Sequence, residues 1–148
     1  VITEYSPAQV IHKLLLDAEL ISDPRQKTDW AGFIGSMPDG DNTPDSAIAV
    51  YDTAGIKDGR FMRTGETVIH PGINIRVRAV GYPDSRKKAA ELFNFLDGVD
   101  DVVVEFDVDS SFKVVSFSHT SDITSLGEQE TRNRHSFTLN GIITIEAL

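Results

Sequence analysis

Between Pro71 and Tyr82 the chain reads PGINIRVRAVGY, and this stretch constrains the fold more than any other. Ile73, Ile75, Val77 and Ala79 alternate with polar positions that include Arg76 and Arg78. Successive side chains of a strand point to opposite faces, so the four apolar residues share one face and the two arginines the other. Such a strand belongs in a sheet with one face packed against an apolar layer and the other turned to water or to a polar partner. Covering elements must therefore exist elsewhere in the chain.

Two segments have the period of helices. SPAQVIHKLLLDAELI opens with Ser6 as N-cap, Pro7 at the first helical position and Gln9 completing a capping box. Val10, Ile11, Leu14, Leu15, Ala18 and Ile21 fall on one side of it, and Pro24 ends it. PDSRKKAAELFNFLDG predicts a second helix capped by Asp84 or Ser85, with a buried stripe of Ala89, Leu92, Phe93 and Leu96, ending at Gly98. The remaining apolar runs, AIAVYDT, VVVEFDV, FKVVSFSHT and HSFTLNGIITIEAL, read as strands. AGIKDGRFMRTGETVIHPG reads as an extended hairpin or a mobile loop. The expectation is an α+β fold: a mixed, mostly antiparallel sheet with two helices packed on one face. At 148 residues this is one domain, 1–148, with mobile loops expected near 57–70 and 121–134.

The absence of cysteine excludes disulfides, zinc–thiolate sites and cysteine nucleophiles. No apolar run approaches the roughly 18 residues of a membrane helix, and no signal peptide is expected. A net charge of −9 argues against general nucleic-acid binding, which needs a basic surface. That charge is segregated. Residues 57–88 hold eight bases against three acids, whereas residues 1–56 hold three against nine and residues 89–148 three against eleven. The strand with the paired arginines lies in the basic segment. Its arginines are either a solvated sheet face or one half of a contact with an acidic surface, for which the planar guanidinium fork is suited.

Catalytic chemistry finds little support. His12, His70, His119 and His135 have no metal-ligand spacing, and His12 reads as a boundary residue. Asp39, Asp41 and Asp45 start like a calcium loop but lack its glycine and closing glutamate, so a solvated turn is expected. Glu105, Asp107 and Asp109 are expected on one strand face, turned to water or to a basic neighbour. Neither a phosphate-cradling glycine loop nor a GxSxG elbow is present. No cofactor or metal is expected.

The ordered series SPAQVIHKLL, PDSAIAVYDTAG, RTGETVIHPGINIRVRA, LFNFLDG and RHSFTLNGIITI resembles the tail terminator proteins of bacteriophages with long, non-contractile tails. Members are also called tail completion or minor capsid proteins. The resemblance spans roughly Tyr5 to Ile145. It implies a non-enzymatic structural protein that assembles as a ring, a hexamer in the family, at the head–tail junction of the virion after synthesis in the host cytoplasm. Such a ring caps the tail tube, stops its growth and offers the surface for head joining. The implied partners are further copies of the chain, the tail tube protein and the head–tail connector protein. DNA passes through the ring without sequence-specific binding.

On that reading the candidate subunit contacts are Arg76 and Arg78 with Glu105, Asp107 and Asp109; the alternative for the arginines is the ring lumen. Tube contacts are expected in the two polar segments, with Arg60, Phe61 and Arg63 in one and Glu128, Arg132 and Arg134 in the other. Competing readings are another head–tail connector or a tail tube protein, and, from a different class, a small metal-dependent hydrolase built on the aspartates.

Overall fold

The structure is a computed structural model that describes residues 4–26, 29–38, 43–60, 67–129 and 133–147. Helix α1 (Pro7–Asp17) begins where the capping signals place it. Ser6 accepts from the Gln9 amide, and the Gln9 side chain accepts from the Ser6 amide. Each such cap contributes about 1 kcal/mol. Asp52, from a distant strand, adds a third acceptor at this terminus by taking the Ala8 amide at 3.0 Å. The helix stops earlier than the apolar stripe suggests. Ala18 is its C-cap, and Glu19 adopts φ 60°. Ile21 is still buried, but from the connection after the helix.

Among the described residues seven strands follow: β1 (Ala31–Ile34), β2 (Ala47–Arg60), β3 (Thr67–Val80), β4 (Asp100–Asp107), β5 (Ser110–His119), β6 (Thr124–Gln129) and β7 (Arg134–Ala147). Helix α2 (Tyr82–Asp97) joins β3 to β4. The sheet order is β1-β2-β3-β7-β5-β4, with β6 also paired to β7. β1 and β2 are parallel, and the other pairings are antiparallel. The expected mixed, mostly antiparallel sheet is therefore observed.

The inward residues predicted for β3 are all buried. Ile73, Ile75 and Val77 join Ile11, Leu14 and Leu15 of α1, Leu92 and Leu96 of α2, and Leu139 and Ile143 of β7 in one cluster. Fully burying a side chain of this size contributes roughly 1.5–3 kcal/mol, so the cluster is the main source of stability.

Two local expectations are corrected. Helix α2 starts at Tyr82 after Gly81, not at an Asp84 or Ser85 cap, and Gly81 has no side-chain cap bond. Gly81 holds φ 85°, which suits glycine at this sharp strand-to-helix turn. Ser85 is buried instead and donates to the His135 carbonyl at 2.7 Å, tying the helix to β7. The polar segment 121–134 contains β6, which pairs with the first half of β7. Its bulge at Gly127 and its lack of an apolar run hide it from pattern reading.

Candidate assembly surface

The two arginines of β3 share a face, as alternation requires, but their surroundings differ. Arg78 is 5% exposed. Its guanidinium donates to the carbonyls of Pro38 at 3.0 Å, Pro44 at 3.0 Å and Asp45 at 3.3 Å. It fastens the chain segment that enters β2 onto the outward face of the sheet. Arg134, at the start of β7, is 1% exposed and donates from Nε to Asp45 at 2.8 Å. Asp45 is thus a counterion of a buried arginine, whereas Asp39 and Asp41 lie outside the described residues. Arg76 is exposed, with its guanidinium 5.1 Å from the centre of the Tyr51 ring on the neighbouring strand.

The acidic candidates do not share one strand face. Glu105 is exposed on β4, paired with Ser111. A register shift separates it from Asp107, which accepts from the Tyr5 hydroxyl at 3.4 Å and from the Asp109 amide at 2.8 Å. Asp109 lies in the turn between β4 and β5. Tyr5 stacks on Phe106 at 4.1 Å, so this corner fastens the N-terminal segment to the sheet edge. Among the described residues no three His, Asp or Glu side chains form a metal-binding group.

The tube-contact candidates separate widely. Arg60 closes the described part of β2, where it pairs with Thr67; its side chain, with Phe61, Arg63 and Arg132, lies outside the described residues. Glu128 on β6 is exposed and sits 3.7 Å from His135. Arg134 pairs with Val80 at the other end of β3. The backbones of Arg60 and Arg134 are thus at opposite ends of one 14-residue strand, roughly 40 Å apart at 3.3 Å per residue. Arg134 is also committed to its own chain.

A projecting ribbon forms the first of these ends. β1 pairs with β2 only as far as Val50, and β7 pairs with β3 only from Gly72 onward. Beyond those points β2 and β3 continue as a two-stranded hairpin to the Arg60–Thr67 pair. Gly72 stands at its root, where a Cβ would lie 2.5 Å from the Ala54 carbonyl oxygen. That close backbone approach accompanies the register shift between Thr53 and Ile56.

At the opposite margin Lys113 on β5 lies 2.9 Å from Glu146 on β7, and this hydrogen bond raises the lysine pKa. A raised lysine pKa contributes stability that is present below the ordinary value of 10.5 and lost as pH rises through the folded value. The thermal midpoints of wild type and Lys113→Met are therefore expected to converge above that pH, a difference that a paired calorimetric titration would read.

Edges, a projecting ribbon and two separate ends are the equipment of a structural assembly protein, which works through surfaces. A family model described as bacteriophage tail terminator protein matches residues 13–146. The chain belongs to that family, a structural component of the phage tail. No curated protein matches the chain. Among the described residues no helix is long and apolar enough to cross a membrane.

Proposed function

We propose that the chain closes into a ring, six copies in the family pattern, on the head-proximal end of a long, non-contractile tail tube. There it stops tube polymerisation and provides the surface onto which the head connector docks. The family match over residues 13–146 carries this reading. The fold supports it in one respect: contact surfaces at opposite ends of β3 suit a protein that meets a tube on one side and a connector on the other. On this reading both helices pack on the sheet's inward face, which leaves the outward face and the ends for partners. The ribbon is a candidate tube contact, since an isolated two-stranded hairpin is marginal in water and gains order on docking. Repeated contacts around the ring then add multivalently.

Ring closure is assigned to edge strand β4, where Asp101 and Glu105 are exposed, against the exposed cations Arg86 and Lys87 of α2 on the next copy. Heterologous contacts of this kind close when the rotation permits. Reversing Asp101 and Glu105 to lysine is expected to reduce the assembled mass in light scattering; unchanged rings would remove this edge from the interface.

Electron microscopy of tails made with and without the chain tests the function. Over-long tails lacking heads are expected in its absence. Tails of normal length that join heads would refute the proposal, and stacks formed by the purified chain would point to a tube protein.

A further inference from the structure

Among the described residues six large apolar side chains are exposed, and four of them stand on two surfaces of opposite charge. Val103 and Val108 lie on the β4–β5 hairpin, with the exposed acids Asp101, Glu105, Asp107 and Asp109 around them. Lys113, which pairs with Val103 across the hairpin, is already held by Glu146. Val80 and Tyr82 lie at the corner where β3 enters α2. The exposed cations Arg86 and Lys87 follow one helical turn later, and Arg86, four residues after Tyr82, shares its side of the helix. Asp84 is the exposed acid in that first turn, where it suits the helix dipole.

Val108 is the sharper observation. It is 99% exposed and sits in the two-residue turn between Asp107 and Ser110. Such turns favour Gly, Asn, Asp and Ser, so a β-branched apolar residue gains nothing there from its own chain. The turn is nevertheless fixed. The Asp107 carboxylate accepts from the Asp109 amide at 2.8 Å and from the Tyr5 hydroxyl at 3.4 Å, and Tyr5 stacks on Phe106. The corner is held too, because the Tyr82 ring meets Phe137 edge-on at 5.2 Å. Two ordered apolar groups lose little freedom on binding. They cannot meet within one chain: Val80 pairs with the first residue of β7, Arg134, whereas Phe112, beside the hairpin turn, pairs with Ala147 near its other end.

Resting on the ring reading, we propose that the Val108 turn is the apolar anchor between copies: it seats against Tyr82 and Val80 of the next copy, with the hairpin acids toward Arg86 and Lys87. An apolar centre with a charged rim is the usual anatomy of a protein–protein contact. Burial of the valine supplies affinity, and the opposed charges supply orientation and exclude a hairpin-to-hairpin pairing. The two surfaces differ, so the contact is heterologous and repeats from copy to copy.

The absence of cysteine makes the test direct. A chain carrying Tyr82→Cys and Val108→Cys would be added to tails made without the protein and then oxidised. A ladder of covalent multimers in a denaturing gel is expected. A chain carrying Asn94→Cys and Val108→Cys is the comparison, since Asn94 is exposed further along α2, and it is expected to remain monomeric. Separately, Val108→Ser should raise the concentration that half-caps such tails about tenfold, while its thermal midpoint stays within about 2 °C of wild type because the side chain has no internal contact to lose. Unchanged capping by Val108→Ser, equal ladders from the two double variants, or cross-links to a different virion protein would overturn the assignment and leave the ring reading intact. A ladder that stops at the dimer would overturn it as well, because the contact would then be two-fold. If electron microscopy shows no ring of the wild-type chain on these tails, the ring reading fails and the anchor with it.

Discussion

Asp45→Ala is expected to lower the thermal midpoint by roughly 6–12 °C, the consequence of about 3 kcal/mol in a domain of this length. Arg134 is 1% exposed and cannot recover its hydration while the fold stays intact. Removing one partner of a buried ion pair costs up to about 3–5 kcal/mol, because the buried charge loses the attraction of that partner. The lower end applies here, since the Asp45 side chain is 54% exposed and its pairing is partly screened. The substitution also loosens the segment whose Pro44 and Asp45 carbonyls receive Arg78. Introducing Arg134→Met into the Asp45→Ala chain should recover part of the loss, because the buried charge that Asp45 serves is then gone. A four-member calorimetric cycle measures that coupling. Strictly additive effects, or a drop under about 2 °C for Asp45→Ala, would show that the pair contributes little.

What the sequence discloses follows the range of the interactions involved. The α1 cap uses Ser6 and Gln9, three residues apart, and it is where the pattern places it. Alternation in β3 correctly sorts Ile73, Ile75 and Val77 from Arg76 and Arg78. Long-range partners are not written locally. Arg134 finds Asp45 across 89 residues, and Arg78 finds Pro38 across 40. Both pairings exist only because the sheet brings the segment before β2 to the outward side of β3 and β7. The α2 start shifted for a related reason. Ser85, a good cap by type, is used in a buried bond to β7.

The candidate surfaces divide in the same way. Segregation of charge along the chain was legible, and it pointed to the basic segment around β3. It could not distinguish an arginine buried beneath a loop from one left on the surface two residues earlier. Nor could it show that the expected tube contacts fall at opposite ends of one strand, because sequence separation has no direction until register is fixed.

Gly141→Ala should be the other severe change, lowering the thermal midpoint by roughly 4–10 °C through about 2–3 kcal/mol of overpacking. Gly141 pairs with His119 where β5 meets β7. A Cβ there would overlap the Phe117 ring and lie 3.0 Å from the Ser118 carbonyl oxygen. Phe117 is 6% exposed and has little room to retreat. Its ring meets His119 edge-on at 5.0 Å, and His119 stacks on Phe93 of α2 at 3.7 Å. His119 also lies 3.1 Å from the Phe93 carbonyl oxygen. Displacing Phe117 therefore strains the joint between β5 and α2, so the added methyl cannot be absorbed locally. Phe117→Leu removes the overlapping ring atoms at the cost of some packing. It should destabilise the wild-type chain but partly rescue Gly141→Ala. Denaturation midpoints of the two single variants and the double variant decide the matter. If Phe117→Leu is equally harmful in both backgrounds, the ring is not what the glycine accommodates.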